Sequence, residues 1–589
     1  MVQYQAIPCD PEPEWMEMTM FSVQLKILGF SIYCLIVGMV PAYAGAKPAD
    51  LIIVNGTIYT MNARRPTARM VAVTGDRIAY VGAPSAADQW TGPSTKIIDL
   101  EGRAMTPGLI ESHAHLLYLG HARMKLDLSK AGNYDQVVKM VAAAAAKAAP
   151  GEWILGSGWH QSKWDPPPDP QVKGFQTHQA LSAASPDNPV YLTHASGHAG
   201  LANARAMQVA GITAQTRFPK GGEIIKDPQG RPTGIFTESA QALIRKHIPA
   251  TTPQKQRRAL ELAIEESIAN GITTFYDASS DRAAIDLYEE YLRQGRLRLR
   301  LWVMIDGKDK ALLDEWYARG PRIGKGNNLL TIRGIKLFAD GALGSRGAWL
   351  LAPYDDRPGH SGHAIIPMEA VFRTAVAALE HGFQLCVHAI GDRANREVLD
   401  QFERALKESP QAGRDHRFRI EHAQHIDPAD IPRFARLGVI ASMQGIHLSS
   451  DRPWAIDRLG KKRIEEGAYV WQKLLQSGAV VVNGTDAPVE PINPIANFYA
   501  SVTRKRLDGQ PPGGYEPDQK MTRHQALASY TLQAAYAGFA EKQQGSIQTG
   551  KLADFTIFSQ DIMTVPEDRL LSTRVDYTIV GGEVVYQRK

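Results

Sequence analysis

Residues 104–115 read AMTPGLIESHAH, an apolar run that ends on two histidines one residue apart. Seven later stretches have the same build: GITTFYDAS (271–279), LRLRLWVMID (297–306), LTIRGIKLFADG (330–341), FQLCVHAIGD (383–392), RFRIEHAQ (417–424), VIASMQG (439–445) and AVVVNGTDAP (479–488). Each is too continuously apolar for a strand with one wet face. Most are separated by stretches of helical spacing, such as 369–381 and 392–407. Apolar strands alternating with helices imply a parallel sheet covered on both faces. Eight such units predict an α/β fold, a closed (β/α)8 TIM barrel.

The rhythm fails once, between the first and second strands. Residues 116–270 are far too many for a simple crossover. They contain VVKMVAAAAAKAA, WILGSGWHQSKWDPPPDP and PVYLTHASGHAGLANARAMQVAGIT, which read as a cap inserted over the barrel mouth. Outside the barrel, both chain ends are rich in short strands. Asn55-Gly56 and Gly75-Asp76 near the start, and Gly581-Gly582 near the end, are turn signals between strand-like runs. The expected organisation is a small β-sandwich built from 45–103 and 541–589, around a barrel over 104–540.

Composition excludes several classes. The 589 residues are 44% hydrophobic and 22% charged, which is ordinary for a globular chain and excludes wholesale disorder. A formal charge of +5 spread over this length gives no footprint for nucleic acid. Residues 27–40, ILGFSIYCLIVGMV, followed by Pro41 and Ala42-Tyr43-Ala44, have the size of a signal-peptide core and cleavage site. They are short for a membrane span. Asp10, Glu12, Glu14 and Glu17 are unexpected ahead of such a core; a start at Met18 or Met20 would remove them and keep Lys26. The expectation is export to the periplasm or medium with cleavage near Ala44, with an uncleaved N-terminal anchor as the alternative. Cleavage leaves 545 residues, 65 basic against 57 acidic, and a single cysteine, Cys386. No disulfide framework and no stable membrane span would remain.

The ends of the apolar runs carry the chemistry. The first ends in His113-x-His115; later ones hold Lys336, His388, His422 and Asp486. Barrels of this kind place catalytic groups at the C-terminal ends of several different strands. Taken singly, each residue has an ordinary reading as a core histidine, a strand-end lysine or a turn acid. The specific feature is the ordered set on separate strands. Histidine nitrogens and carboxylate oxygens suit zinc and related divalent ions.

PGLIESHAH, IKLFADGALGSRGA, CVHAIGD, IEHAQ, NGTDAPV and the late GSIQTGKLADFTIF together resemble the amidohydrolase superfamily, in its YtcJ-like branch, which includes N-substituted formamide deformylases. The resemblance spans 50–589. It implies two divalent metal ions, with zinc favoured by the histidine-rich ligation. It also implies a Lys336 carboxylated on its amine to bridge them. His113, His115 and Asp486 would hold one ion, and His388 and His422 the other. The implied reaction is hydrolysis of a C–N bond in a small amide-type substrate, an N-substituted formamide among them, by a hydroxide held between the metals. Asp486 would take the nucleophile's proton and deliver it to the leaving amine. Cyclic amides, carbamates and esters are alternative substrates. A metal-containing envelope sensor without catalysis is the alternative from another class, and an intact Asp486 argues against it. Relatives in the superfamily often pair, which makes a homodimer an expectation by analogy.

Weaker candidates surround this set. Asp340 and His425, close in sequence to Lys336 and His422, are candidates to support the ligands from behind. Trp159, His160, Trp164 and His198 in the cap, and Arg346 after the fourth strand, are candidate substrate contacts. The tryptophans read equally well as cap core, and Arg346 as a solvated loop arginine. Cys386 shares a strand face with His388, but no accompanying oxyanion loop is recognisable, so it reads as small packing.

Overall fold

The eight apolar runs form eight parallel strands in the computed structural model of the chain. The structure describes residues 48–161, 164–194, 199–219, 222–409 and 415–589. The strands are β1 (Leu109–Ala114), β2 (Ile272–Ser280), β3 (Arg300–Asp306), β4 (Leu330–Phe338), β5 (Gln384–Ala389), β6 (Arg419–His422), β7 (Ile440–Met443) and β8 (Val481–Asn483). They pair in sequence order from β1 to β8. The ring is completed by the segment just past β8: the Asp486 amide donates to the His113 carbonyl at 2.8 Å, and the His115 amide to the Ala487 carbonyl at 2.8 Å. Gly484 permits this closure, because a Cβ there would lie 2.4 Å from Glu111 Oε1 and 2.7 Å from the His113 nitrogen.

Helices cover the strands for reasons visible in their sequences. Helix Asp392–Glu408 buries Ala394, Val398, Leu399, Phe402 and Ala405, a stripe at the helical repeat. Asp281 caps helix Arg282–Arg293 by accepting from the Ala284 amide. Helix Met368–His381 ends on Gly382 at φ 77°. The barrel interior is filled by Ile110, Tyr276, Trp302, Met304 and Cys386, with Ala534 and Ala535 closing the far end. Cys386 is therefore a buried packing residue.

Strands from both chain ends share one eight-stranded sheet. Leu51–Tyr59 lies against Thr67–Thr74 on one side and against Lys96–Asp99 and Ala104–Pro107 on the other; Phe555–Phe558, Val575–Val580 and Glu583–Gln587 continue from Ala104–Pro107. Gly75-Asp76 and Gly581-Gly582 are hairpin turns. Asn55-Gly56 is not one. It sits inside the single strand Leu51–Tyr59, as an irregularity between Val54 and Ile58 with Asn55 at φ 60°. An Asn-Gly pair supplies positive φ to a bulge as readily as to a turn.

The long insertion begins and ends as barrel. Helices Leu116–Arg123 and Pro253–Ala269 pack together in the main core through Leu116, Leu119, Leu260 and Ile264. Between them stands a six-stranded sheet that includes Ile154–Trp159, Val190–His194 and Ala199–Ala202, with its own apolar core. No helix among the described residues is long and apolar enough to cross a membrane. The apolar run at 27–40 and the cleavage site lie outside the described residues.

Candidate metal centre

The ends of β1, β4, β5, β6 and β8 bring His113, His115, Lys336, His388, His422 and Asp486 to one mouth of the barrel. Among the described residues, one ligand atom each from His113, His115 and Asp486 lie within 4.8 Å of one another. Asp486 Oδ1 is 3.2 Å from His115 Nε2 and 3.6 Å from His113 Nε2. Lys336 Nζ lies 3.2 Å from His113 Nε2. The His422 ring is 5.0 Å from that of His113 and 4.5 Å from that of His388, centre to centre. His422 and Asp486 hold φ values of 74° and 58°, left-handed backbone that costs a non-glycine residue roughly 1–2 kcal/mol. Both sit where a strand turns its last side chain into the mouth.

The hydrogen bonds behind the histidines fix which nitrogen faces inward. His115 Nδ1 is 2.9 Å from the Ala278 carbonyl, which can only accept, so Nδ1 carries the proton. His113 Nδ1 donates to Glu421 Oε2 at 2.5 Å, and His422 Nδ1 to Gln444 Oε1 at 2.8 Å. A neutral imidazole in this tautomer presents an Nε2 lone pair. His115 Nε2 and Asp486 Oδ1 then face each other as two acceptors, which is favourable only with a cation or a proton between them. Among the described residues, His388 Nε2 and Asp486 Oδ1 are buried with no hydrogen-bond partner. Inward lone pairs and an uncompensated carboxylate oxygen fit a divalent cation.

The electrostatics keep the donors in their ligating forms. Burial, with Lys336 nearby, lowers the His113 pKa to about 4, and the same two causes take His388 to about 3. Burial also depresses Lys336. For Asp486, burial opposes ionisation, but the His115, His422 and His113 side chains around it hold the carboxyl well below its usual range.

A buried ion pair orients His113 from beneath. Arg419 Nε donates to Glu421 Oε1 at 2.7 Å, and Arg419 Nη2 reaches Glu421 Oε2 at 3.0 Å, the Ser112 carbonyl at 2.7 Å and Ser442 Oγ at 2.8 Å. Both side chains are wholly buried. Glu111 accepts from the Thr485 amide at 2.8 Å, from Thr485 Oγ1 at 2.9 Å and from the His113 amide at 3.1 Å, tying β1 to the Asp486 turn. Sequence reading missed Arg419, Glu421, Glu111 and Gln444. The available signal was a charged residue inside an otherwise apolar strand, as in RFRIEH and LIESH.

The outer candidates separate clearly. Asp340 accepts the backbone amides of Trp349, Ile390 and Gly391 at 2.8–2.9 Å, and its Oδ1 lies 3.5 Å from His388 Nε2. It joins the β4 loop to the end of β5. His425 is buried against Tyr469, 5.6 Å between ring centres, and does not join the ligand cluster. Trp159 is cap core: wholly buried, with Nε1 donating to the Leu192 carbonyl at 2.9 Å. Trp164 stacks on Tyr134 in that core. Arg346 is engaged by Asp356 through Nε and Nη2 at 3.1 and 2.7 Å, so its fork already holds a carboxylate. His198 lies outside the described residues.

Buried neutral histidines make a pH prediction. Burial holds His425 at about 3, alongside His113 and His388. Their folded pKa values lie below the 6.5 of an exposed histidine, so the unfolded chain binds more protons below pH 6.5. Stability of the metal-free protein is therefore full above pH 6.5 and declines as pH falls toward 4, by about 1.4 kcal/mol per pH unit for each proton taken up. Chemical denaturation at pH 7.5, 6 and 5 checks this; an unchanged midpoint would show that these rings titrate normally.

Comparison with known proteins gives a consistent picture. The amidohydrolase family model matches residues 96–586. Protein LONG AFTER FAR-RED 3 of Arabidopsis thaliana is 33% identical over 91% of this chain and 92% of its own. Putative amidohydrolase YtcJ of Bacillus subtilis is 32% identical over 90% and 98%, and N-substituted formamide deformylase of Arthrobacter pascens 28% identical over 92% and 98%. Among solved structures, an uncharacterized metal-dependent hydrolase from Pyrococcus horikoshii superposes with TM-score 0.71 at 27% identity, covering 88% of this chain and 99% of that one.

Proposed function

This chain belongs to the amidohydrolase family and is a hydrolase, and from that premise we propose that it is metal-dependent and cleaves the C–N bond of a small amide, with N-substituted formamides the leading substrates. The observation that carries the metal assignment is the facing of His113 and His115 Nε2 onto Asp486 Oδ1 with every Nδ1 already spoken for. The formamide preference draws on the deformylase resemblance across nearly the whole chain.

His113, His115 and Asp486 would hold one ion, and His388 and His422 a second, with Lys336 between them. Such ions supply Lewis-acid polarisation of the carbonyl and lower the pKa of water toward about 7. Asp486, kept ionised, accepts the proton of the attacking water and passes it to the amine nitrogen as the C–N bond breaks. Glu421 and Gln444 hold His113 and His422 in the tautomers that leave Nε2 free.

Lys336 is suited to carboxylation. Its amine is wholly buried and its pKa is lowered by that burial. A neutral amine adds to carbon dioxide, forming an N–C bond and releasing one proton. Lys336→Ala is expected to drop metal content from two ions per chain toward one and to lower kcat by at least about tenfold. Partial recovery is expected in high bicarbonate or with a short carboxylic acid. Full activity in this variant would assign the bridge to another group.

The decisive experiment is metal analysis of the purified protein coupled to a panel of formamides, other amides, cyclic amides, carbamates and esters. Two metals per chain with turnover of an N-substituted formamide is expected; no turnover across the panel overturns the reading. Export, read from residues 27–44, is checked by N-terminal sequencing of the exported protein, which should begin at Gly45.

A further inference from the structure

We infer that the cap carries a binding cavity for the amine-side substituent of the substrate, and that it selects uncharged substituents bearing hydrogen-bonding groups; this rests on the hydrolase reading above. A cavity of about 620 Å³ opens between the cap sheet and the turn after β8. Ser157, Thr193, His160 and His194 line it from the cap, and Pro488 and Val489 from the barrel side. Its size falls within the roughly 300–1,000 Å³ of small-molecule sites.

Position assigns the end of the substrate that enters. Pro488 is two residues beyond Asp486, so their Cα atoms are at most about 7.6 Å apart. Asp486 must reach the amine nitrogen to protonate it. Whatever that nitrogen carries then lies against the Pro488–Val489 wall and projects toward the cap. Val489, 68% exposed, is one of the few large apolar side chains left open on the described surface, as expected for a wall that a ligand covers.

Chemistry assigns the class. Among the described lining residues there is no lysine, arginine, aspartate or glutamate. A charged substituent would lose its water and meet no counter-ion among those described residues. The lining does carry hydroxyls and two imidazoles whose rings are 4.7 Å apart, and His160 Nδ1 is buried without a partner among the described residues. A purely apolar substituent would leave that nitrogen unpaired, whereas a hydroxyl, which can donate or accept, would satisfy it in either tautomer. Trp159, fixed behind by its bond to the Leu192 carbonyl, braces the His194 ring at 4.7 Å.

The test compares three formamides matched in length, N-(hydroxyalkyl), N-alkyl and N-(ammonioalkyl), on the full metal-loaded protein. The hydroxyalkyl compound should exceed the alkyl one in kcat/KM by about tenfold, and the ammonioalkyl one by about a hundredfold. His160→Phe, which keeps the ring and removes its nitrogens, should bring the first ratio near one. Val489→Trp, acting from the opposite wall, should raise KM for all three compounds. Equal kcat/KM across the series, or a ratio that survives both substitutions, overturns the proposal. If none of the three is hydrolysed, the hydrolase reading fails separately. The cavity is then judged by binding the same compounds, followed by quenching of cap tryptophan fluorescence. Selective binding lost in His160→Phe upholds it, and unselective or absent binding overturns it.

Discussion

Replacing Asp486 by asparagine is expected to lower kcat by about 10³-fold, within the range of about 10²–10⁴ that positioned proton transfer contributes, while bound metal is retained. Asparagine keeps an oxygen that can ligate, and it tolerates the left-handed backbone that Asp486 occupies at φ 58°. The Asp486 amide donates to the His113 carbonyl through the main chain, so barrel closure is unaffected. What the substitution removes is the charge facing His113 and His115 Nε2, and with it the group able to take a proton from water and return it to nitrogen. Three measurements separate the possibilities: metal content, kcat, and the rate with an activated ester whose leaving group needs no proton. The ester rate should fall far less than the amide rate. Retention of a tenth or more of amide turnover would remove Asp486 from the proton path. Loss of metal along with activity would make it a ligand alone.

The barrel was legible because its strands are buried on both faces, so the apolar runs stand out regardless of tertiary detail. The six candidate positions stand out in the sequence for a related reason: each lies at or near the C-terminal end of such a run, where a polar side chain can face the mouth. Local chemistry misled where one signal serves two geometries. Asn55-Gly56 supplies positive φ to a bulge inside one strand rather than to a hairpin. Trp159 could have faced either a ligand or the cap core, and only the Leu192 carbonyl beside its Nε1 decides. Arg346 is spoken for by an aspartate ten residues away, a pairing set by the fold of the β4 loop. Glu421 lies beside His422 in sequence yet serves His113, some three hundred residues earlier, because barrel closure brings β6 under β1. Such pairings are properties of the closed ring and have no local signature.

Arg419→Met should be the most destabilising single change near the site, costing about 3–5 kcal/mol. Methionine fills much of the same space, so the loss is electrical rather than a cavity. The guanidinium lies over Tyr276 and Trp302, 5.6 and 5.9 Å from the ring centres, and pairs with Glu421 where both side chains are closed to water. Without it, a wholly buried carboxylate loses the cation that bonds both its oxygens and accepts from the neutral His113 ring through Nδ1–H. Burial pushes the Glu421 carboxyl up, but Arg419 and His113 hold it well below the usual range. A depressed folded pKa means that this stabilisation is present above the unfolded value of 4.5 and is lost as pH falls below it. The gap between wild type and Arg419→Met, read from denaturant midpoints, should therefore be at its full width at pH 7 and begin to narrow only below pH 4.5. Arg419→Met/Glu421→Leu should regain part of the loss, since no charge is left stranded, but should bind metal poorly because His113 loses the acceptor that sets its tautomer. A single variant as stable as wild type at pH 7, or a double variant that binds metal normally, would show that the ion pair neither secures the barrel floor nor orients the ligand.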